Sequence, residues 1–193
     1  MAGPVSVGVC LIPTTLTRKL LLSRTSKSGL KKLKDSKKLS EKLRDMWFDQ
    51  MIKMQKSGEL NFAVTLISNK IIDERGLSFA IRKAMADSLK KLQRAVRFDP
   101  AQCLVLLDGG LRAPTEFAFQ KTIIKGDEKE FAISLASIAA KVTRDTYMKK
   151  LAKKYPLYHF DIHKGYGTVR HVAAIKKEGI VPIHRVSFLK NIT

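Results

Sequence analysis

Short apolar runs and longer amphipathic stretches follow one another along the chain, and together they predict its elements. The apolar runs predict strands over 4–12, 60–68, 103–108 and 119–126. Apolar residues at helical spacing predict helices over about 40–56, 71–95 (as one helix or two), 129–154 and 168–178. Residues 13–34 show neither pattern and predict a basic loop. Strands and helices in mixture indicate an α/β fold.

A carboxylate stands at the end of the third predicted strand, in the sequence VLLDGG at 105–110. Gly109 and Gly110 end this strand, because glycine adopts backbone angles that other residues resist. Asp108 is therefore expected at the mouth of a sheet, where α/β folds gather their ligand sites. The alternative is an aspartate that only caps the turn.

The helix predicted over 129–154 has an aspartate on its apolar stripe. The stripe is formed by Phe131, Leu135, Ile138, Val142, Met148 and Leu151. Asp145 follows Val142 by three residues and falls on the same face, where a carboxylate is costly unless it is paired or binds a cation. An intrahelical pair with Lys141 or Lys149 is the alternative. Small residues between 132 and 140 predict that the helix packs closely on a sheet.

The two aspartates together suggest a metal site. A closely packed helix would bring Asp145 toward the strand ends, so Asp108 and Asp145 are predicted to share a divalent cation. Carboxylate oxygens suit Mg²⁺ or Mn²⁺, and the sequence has no set of Cys and His residues for zinc. Such an ion can assist the cleavage of a phosphodiester bond.

The charge of the chain points to a nucleic-acid partner. Lys and Arg number 37 against 17 acids, which gives a formal net charge of +20, and a polyanion is the first partner to consider for so basic a protein. No apolar stretch approaches the roughly 18 residues that a membrane span needs.

Cys10 and Cys103 lie in apolar runs, which indicates reduced core residues in a reducing compartment. The first 34 residues contain no acid, a composition typical of a transit peptide as well as of a strand followed by a basic loop.

Three loops carry basic or aromatic side chains that can contact a polyanion. Lys37 precedes a helix start, which favours anions. Lys125 stands at a strand end beside Gly126, a glycine expected to give flexibility. The loop HKGYGT at 163–168 combines Lys164 for a phosphate with Tyr166 for stacking, and its glycines allow close approach to a backbone. An ordinary basic loop is the alternative for each.

The order of these motifs resembles the ribonuclease HII family, the type 2 ribonucleases H. The matching stretches are AGPVSVGV, DSKKLS, IIDERGLSFAIRKAMA, VLLDGG, IIKGDE, ISLASIAAKVTRD, HKGYGT and PIHRVSF. The resemblance implies one ribonuclease H-like domain over 1–193, with a central mixed sheet flanked by helices and a helical, substrate-binding C-terminal part from about 156. It also implies hydrolysis of RNA in RNA–DNA hybrids, and of ribonucleotides embedded in duplex DNA, with Mg²⁺ or Mn²⁺.

The resemblance also implies roles for particular residues. Asp108 and Asp145 match two of the family's catalytic, metal-binding carboxylates. Tyr166 resembles the family tyrosine that stacks on the sugar next to the ribonucleotide. Four further residues fall in positions that match the family near its substrate, namely Lys125, Ser137, Lys141 and Arg144. Lys37, His163 and Lys164 complete the predicted substrate-binding set.

One segment of the family's pattern is not found in the 193 residues. Family members carry D-E-x-G-R-G-P just before AGPV, where the Asp-Glu pair supplies the other carboxylates and the Gly-Arg-Gly loop reads the ribose 2′-hydroxyl. Here the sequence reads MAGPV from Met1. Because that segment includes a strand of the sheet, we expect these 193 residues by themselves to be inactive and poorly folded.

Two other functions stay open on the sequence alone. A non-catalytic protein that binds RNA–DNA hybrids or duplexes would explain the basic surface and the incomplete set of carboxylates. A basic structural protein of the ribosome would explain the charge but leave Asp145 on a core stripe without a reason. The endonuclease hypothesis further predicts a cytoplasmic monomer that acts in DNA replication and repair, away from membranes.

Overall fold

Strands and helices are mixed along the chain in the computed structural model, which describes residues 1–16, 39–190 and 192. The strands are β1 (Val5–Leu11), β2 (Asn61–Ile67), β3 (Leu104–Asp108) and β4 (Phe119–Ile123). The helices that concern the site are α1 (Glu41–Lys56), α2 (Asn69–Arg75), α3 (Leu77–Ala95), α4 (Gly126–Lys129), α5 (Phe131–Lys154), α6 (Phe160–His163) and α7 (Val169–Glu178). The predicted α/β class is confirmed. None of the helices in these ranges is long and apolar enough to span a membrane.

The described strands pair in two sheets of two strands each, β1 with β2 and β3 with β4. Strands β3 and β4 are parallel, and Asp108 is paired with Ile123 at their carboxyl ends. The strand predicted over 119–126 is thus shorter than expected, since the chain turns into α4 at Gly126. Most of the predicted loop over 13–34 lies outside the described residues.

Short polar side chains and glycines set the helix ends. Ser40 caps α1, and its hydroxyl accepts a hydrogen bond of 3.3 Å from the Leu43 N–H. Thr168 caps α7 in the same way. The stretch 71–95 forms two helices, because Gly76 adopts a φ of 81° between them.

The chain divides into two compact units, which are described separately. The first unit comprises Met1–Ser6, Leu66–Ala84 and Thr143–Thr193. The second unit comprises Val7–Thr65 and Met85–Val142. The stretch predicted to bind substrate, from about 156, falls in the first unit, and its separate role stays a prediction.

The second unit has two apolar clusters. The buried side chains of one include Met51, Leu60, Leu135 and Ile138. Those of the other include Met85, Leu89, Leu107 and Phe117. Cys10 packs against the first cluster and Cys103 against the second, and both are free thiols as predicted. Burial raises the pKa of the Cys10 thiol to about 12, so this thiol is not a nucleophile at neutral pH.

Helix α5 packs against β1 with almost no space between their backbones. A methyl group on Gly8 would collide with the Ala136 carbonyl oxygen and lie 3.2 Å from the Ala140 nitrogen. The predicted close packing of the small residues of α5 on a strand is therefore confirmed.

The first unit is built around residues that are far apart in the sequence. Its buried apolar side chains include Met148, Phe160, Ile175 and Leu189. Ala2 forms an antiparallel bridge with His184, and the Gly3 N–H donates to the Ile183 carbonyl at 2.8 Å. The first residues of the chain are thereby held against its C-terminal part.

Candidate functional site

Asp108 is the last residue of β3, in the second unit, as predicted. Its Oδ1 accepts a hydrogen bond of 2.8 Å from the Gly126 N–H. Gly126 itself is buried, and a methyl group there would lie 2.5 Å from the Ile133 Cδ1 atom. The nearest atom is the end of the Ile133 side chain, which can move, and the predicted flexibility of Gly126 stays a prediction. Lys125 beside it is exposed and adopts a φ of 55°.

Asp145 is buried on the apolar stripe of α5. Its side chain is 6% exposed, between Val142 at 8% and Met148 at 0%. The prediction from helical periodicity, that a carboxylate occupies a core position, is confirmed. Such a group must be neutralised by a partner or a cation.

Two more predicted residues of α5 lie in the second unit. Ser137 and Lys141 are both partly buried. Lys37 lies outside the described residues. The substrate contacts predicted for these three residues stay predictions.

Arg144 is buried in the first unit and anchors the beginning of the chain. Its Nε donates to the Pro4 carbonyl at 2.9 Å and its Nη2 to the Ala2 carbonyl at 3.2 Å. Its Nη1 is buried without a hydrogen-bond partner in the described ranges. The guanidinium carbon lies 5.0 Å from the centre of the Tyr166 ring, a cation–π distance. Tyr166 is 52% exposed, so the buried cation supports an accessible aromatic surface.

The HKGYGT loop makes a sharp turn before Tyr166. Lys164 and Gly165 have φ values of 51° and 79°. A methyl group on Gly165 would lie 2.5 Å from the Ala2 carbonyl oxygen, so the backbone that this glycine approaches is the protein's own. Lys164 is buried and its Nζ donates to the Asp161 carbonyl. Its predicted phosphate contact stays a prediction.

Three histidines pack together beneath this loop. The rings of His163 and His171 stack with their centres 4.3 Å apart, and those of His171 and His184 are 5.3 Å apart. His163 donates from Nε2 to the Tyr158 carbonyl at 2.7 Å and accepts at Nδ1 from the Gly165 N–H at 3.1 Å. Both of its ring nitrogens are engaged within the protein, so the structure gives His163 a supporting role in the loop. Its predicted substrate contact stays a prediction.

Arg185 is a second residue that anchors the beginning of the chain, and the sequence patterns did not single it out. Its Nε donates to the Gly3 carbonyl at 2.9 Å and its Nη2 to the Pro4 carbonyl at 3.0 Å. Burial and the nearby Arg144 guanidinium lower the pKa of Arg185 to about 10. In the sequence, Arg185 stands out only as part of the motif PIHRVSF. This motif shows neither helical nor strand periodicity, and no such pattern could predict a contact with a residue 182 positions away.

Within the described ranges, no three or more His, Cys, Asp or Glu side chains form a group that could hold a metal ion. The structure brings Arg144 and Tyr166 together in the first unit, which also contains Asp145. Asp108 lies in the second unit. The prediction that Asp108 and Asp145 share a cation stays a prediction.

Comparison with known proteins identifies the family. The sequence profile described as Ribonuclease HII matches residues 1–191. The chain belongs to the ribonuclease HII family. This places it among the type 2 ribonucleases H, a family of hydrolases.

Individual members of the ribonuclease HII family match nearly the whole chain. The ribonuclease HII of Endomicrobium trichonymphae is 40% identical over 188 residues, which are 97% of this chain and 79% of that protein. The crystal structure of ribonuclease H2 from Pyrococcus horikoshii superimposes with a TM-score of 0.66 and 26% identity, covering 96% of this chain and 87% of the other. Bst-RNase HIII, solved in complex with Mn²⁺, gives a TM-score of 0.58 at 16% identity, covering 92% and 58%. The ribonuclease H-like fold implied by the motifs is confirmed.

Proposed function

We propose that this protein is an endonuclease that hydrolyses RNA within RNA–DNA hybrids, and at ribonucleotides embedded in duplex DNA, by divalent-metal-assisted phosphodiester cleavage, and that the 193 residues by themselves are inactive. Family membership supports a ribonuclease H. The proposed substrate class, a nucleic acid that contains ribonucleotides, is supported by the accessible Tyr166 ring above the buried Arg144 guanidinium. A rigid aromatic surface of this kind can stack on a sugar or base, whichever base is present.

The aspartates are the proposed ligands of Mg²⁺ or Mn²⁺. Asp108 has one oxygen fixed by the Gly126 N–H, which orients its carboxylate, and Asp145 has the buried position in which a carboxylate requires neutralisation. Carboxylate oxygens are the ligands that these ions prefer, so the donor chemistry fits. When bound, a divalent ion supplies charge neutralisation at the phosphate and lowers the pKa of a water.

The remaining predicted residues are proposed to hold the nucleic acid. Lys125 is exposed and available for a phosphate. Ser137 and Lys141 on α5, and Lys37, have the same proposed role. The net charge of +20 supplies sequence-independent attraction to any duplex, so selectivity for a ribonucleotide must come from specific contacts such as that of Tyr166.

The proposal is tested with a DNA duplex that carries a single ribonucleotide and with the same duplex in all-DNA form. For the chain completed with the family's D-E-x-G-R-G-P segment we expect cleavage of the first alone, with 5′-phosphate and 3′-hydroxyl ends, in Mg²⁺ or Mn²⁺ and not in EDTA. Asp145→Asn keeps the shape of the side chain and is expected to remove cleavage. The matched control is Asp49→Asn, which changes an exposed aspartate of α1.

A second candidate function is the binding of hybrids without cleavage. It is favoured by one observation, namely that no group of three metal-ligating side chains is found in the described part of the chain. A protein with this function would bind the ribonucleotide-containing duplex in a salt-sensitive manner and would leave it intact in Mg²⁺ and in Mn²⁺. The expectation that the 193 residues are inactive by themselves stays a prediction and is read from the same assay.

We also propose a monomer that acts in the cytoplasm in DNA replication and repair. The free thiols of Cys10 and Cys103 are consistent with a reducing compartment. Sedimentation of the purified chain would test the oligomeric state.

A further inference from the structure

A continuous chain of hydrogen bonds runs through the buried histidines to the backbone of Tyr166. The Nε2 atoms of His184 and His171 are 3.1 Å apart. The Nδ1 of His171 is 2.9 Å from the Tyr166 carbonyl oxygen. At the other end, the Nδ1 of His184 is 2.9 Å from the Val181 nitrogen and 3.1 Å from the Val181 carbonyl oxygen.

The tautomers follow from these partners. A carbonyl oxygen only accepts, so His171 carries its proton on Nδ1 and has a lone pair on Nε2. Two lone pairs cannot face each other at 3.1 Å, so His184 must donate from Nε2. Its Nδ1 then accepts from the Val181 N–H. Each donor meets an acceptor, with both rings neutral.

The neutral state is also the one that burial favours. His171 is 0% and His184 is 1% exposed. Burial lowers the pKa of His171 to about 4 and lowers that of His184 as well. The edge of the Phe160 ring packs against His171 with ring centres 5.5 Å apart, which holds the imidazole in place.

The Tyr166 carbonyl accepts the last hydrogen bond of this chain. Two further hydrogen bonds hold the Tyr166 backbone, while its ring is exposed to solvent. The Tyr166 N–H donates to the His163 carbonyl at 2.9 Å, and its carbonyl also accepts from the Thr168 N–H at 2.9 Å. The ring is 52% exposed. Fixing the peptide planes on both sides of the Cα atom fixes the direction of the Cα–Cβ bond that carries the ring.

We infer that His184 and His171 form a histidine relay, from His184 Nε2 through His171 to the Tyr166 carbonyl, that positions the Tyr166 ring for substrate. The inference rests on the proposed function, in which Tyr166 contacts the ribonucleotide-containing duplex. The two histidines are positioning residues, because they act through the backbone of Tyr166 and do not reach the substrate themselves.

Two substitutions of His171 separate positioning from packing. His171→Asn places an amide N–H where Nδ1 was and keeps the donor to Tyr166. His171→Gln places its amide where Nε2 was, so it keeps a partner for His184 and loses the donor to Tyr166. Both remove a buried ring, so both are expected to lower the melting temperature to a similar extent. The control is His159→Asn, at an exposed histidine whose φ of 52° asparagine tolerates.

The position of the tyrosine ring is read by ¹⁹F NMR of the full chain labelled with 3-fluorotyrosine. The chain has four tyrosines, and the signal that Tyr166→Phe removes is that of Tyr166. We expect His171→Gln to shift or broaden this signal and His171→Asn to leave it in place. An unmoved signal in His171→Gln, or equal changes in both variants, would overturn the inference.

The consequence for substrate is read by binding in EDTA, where no cleavage occurs. We measure the affinity for a duplex with a single ribonucleotide relative to the same all-DNA duplex. His171→Gln is expected to lower this ratio by roughly tenfold, the size of one lost stacking contact, and His171→Asn to preserve it. A ratio unchanged in Tyr166→Ala would defeat the proposed role of the tyrosine, while the ¹⁹F signal would still decide whether the relay positions its ring.

Discussion

The Arg144 guanidinium lies against the face of the Tyr166 ring, with its central carbon 5.0 Å from the ring centre. Arg144 is 8% exposed and Tyr166 is 52% exposed. One partner of this pair is therefore fixed in the interior, while the other is presented to solvent. Because Arg144 also binds the carbonyls of Ala2 and Pro4, the tyrosine is supported by the first residues of the chain as well as by the HKGYGT loop.

Arg144→Lys is expected to destabilise the fold and to weaken selective binding. A lysine has a single ammonium and cannot reproduce the two carbonyl contacts of a planar guanidinium together with its stacking. We expect a loss of about 1–3 kcal/mol in the free energy of unfolding, measured by denaturant titration. Arg170→Lys, at an exposed arginine of α7, is the control and should change neither quantity. Equal stability of the two variants would contradict the structural role of Arg144.

In a chain completed with the family's D-E-x-G-R-G-P segment, Asp108→Asn is expected to abolish cleavage and to spare hybrid binding. The substitution removes a negative charge and keeps the shape, so the Gly126 N–H still has an acceptor. Cleavage and binding are measured on the same hybrid in Mg²⁺ and in Mn²⁺. If the variant cleaves within about tenfold of the wild type, the assignment of Asp108 as a metal ligand is wrong, since the removal of one essential ligand should cost nearly all the rate.

Tyr166→Ala is expected to reduce discrimination at the ribonucleotide more than general duplex binding. Stacking of one base or sugar is worth roughly 1–3 kcal/mol, whereas the phosphate contacts of the basic residues persist. Tyr147→Ala is the matched control, because Tyr147 is also exposed, at 40%, and lies on α5. Equal losses on the ribonucleotide-containing and all-DNA duplexes would show that Tyr166 is a packing residue.

The histidine cluster is expected to make stability depend on pH. Burial lowers the pKa of His171 from 6.5 to about 4, and the pKa values of His163 and His184 are lowered too, again chiefly by burial. Between the lowered pKa values of the folded protein and the value of 6.5 in the unfolded chain, the unfolded chain binds more protons than the folded one. Stability therefore falls as the pH falls through this range. The melting temperature should be highest above about pH 6.5 and decrease toward pH 4. In His171→Asn the decrease should be shallower, and an equally steep decrease would exclude His171 as its source.

Gly8→Ala is expected to destabilise the second unit. The added methyl group would meet the Ala136 carbonyl oxygen, a backbone atom of α5 that cannot rotate away. Overpacking of this kind costs about 1–3 kcal/mol. Gly110→Ala is the control, because nothing lies within 4 Å of the added methyl group there. Thermal melting of both variants gives the comparison, and the structure is contradicted if they melt together.

The sequence by itself determined the local elements and the chemistry of single positions. Helical periodicity predicted a buried Asp145, because every third or fourth residue of a helix shares a face, and its side chain is 6% exposed. Two glycines after an apolar run predicted Asp108 at a strand end. Apolar residues at helical spacing predicted a helix over about 40–56, and the structure has α1 over Glu41–Lys56.

Only the tertiary structure decided which distant residues support one another. Arg185 binds the carbonyl of Gly3, 182 residues away, and no local pattern encodes such a pair. Nothing in the sequence indicated that both ring nitrogens of His163 are engaged within the protein. The structure also makes His171 and His184 a relay to Tyr166. Gly165 is a further example, because a glycine in a sequence signals either freedom of the backbone or lack of space for a side chain. Only the neighbouring atoms in the fold, here the Ala2 carbonyl oxygen, distinguish the two.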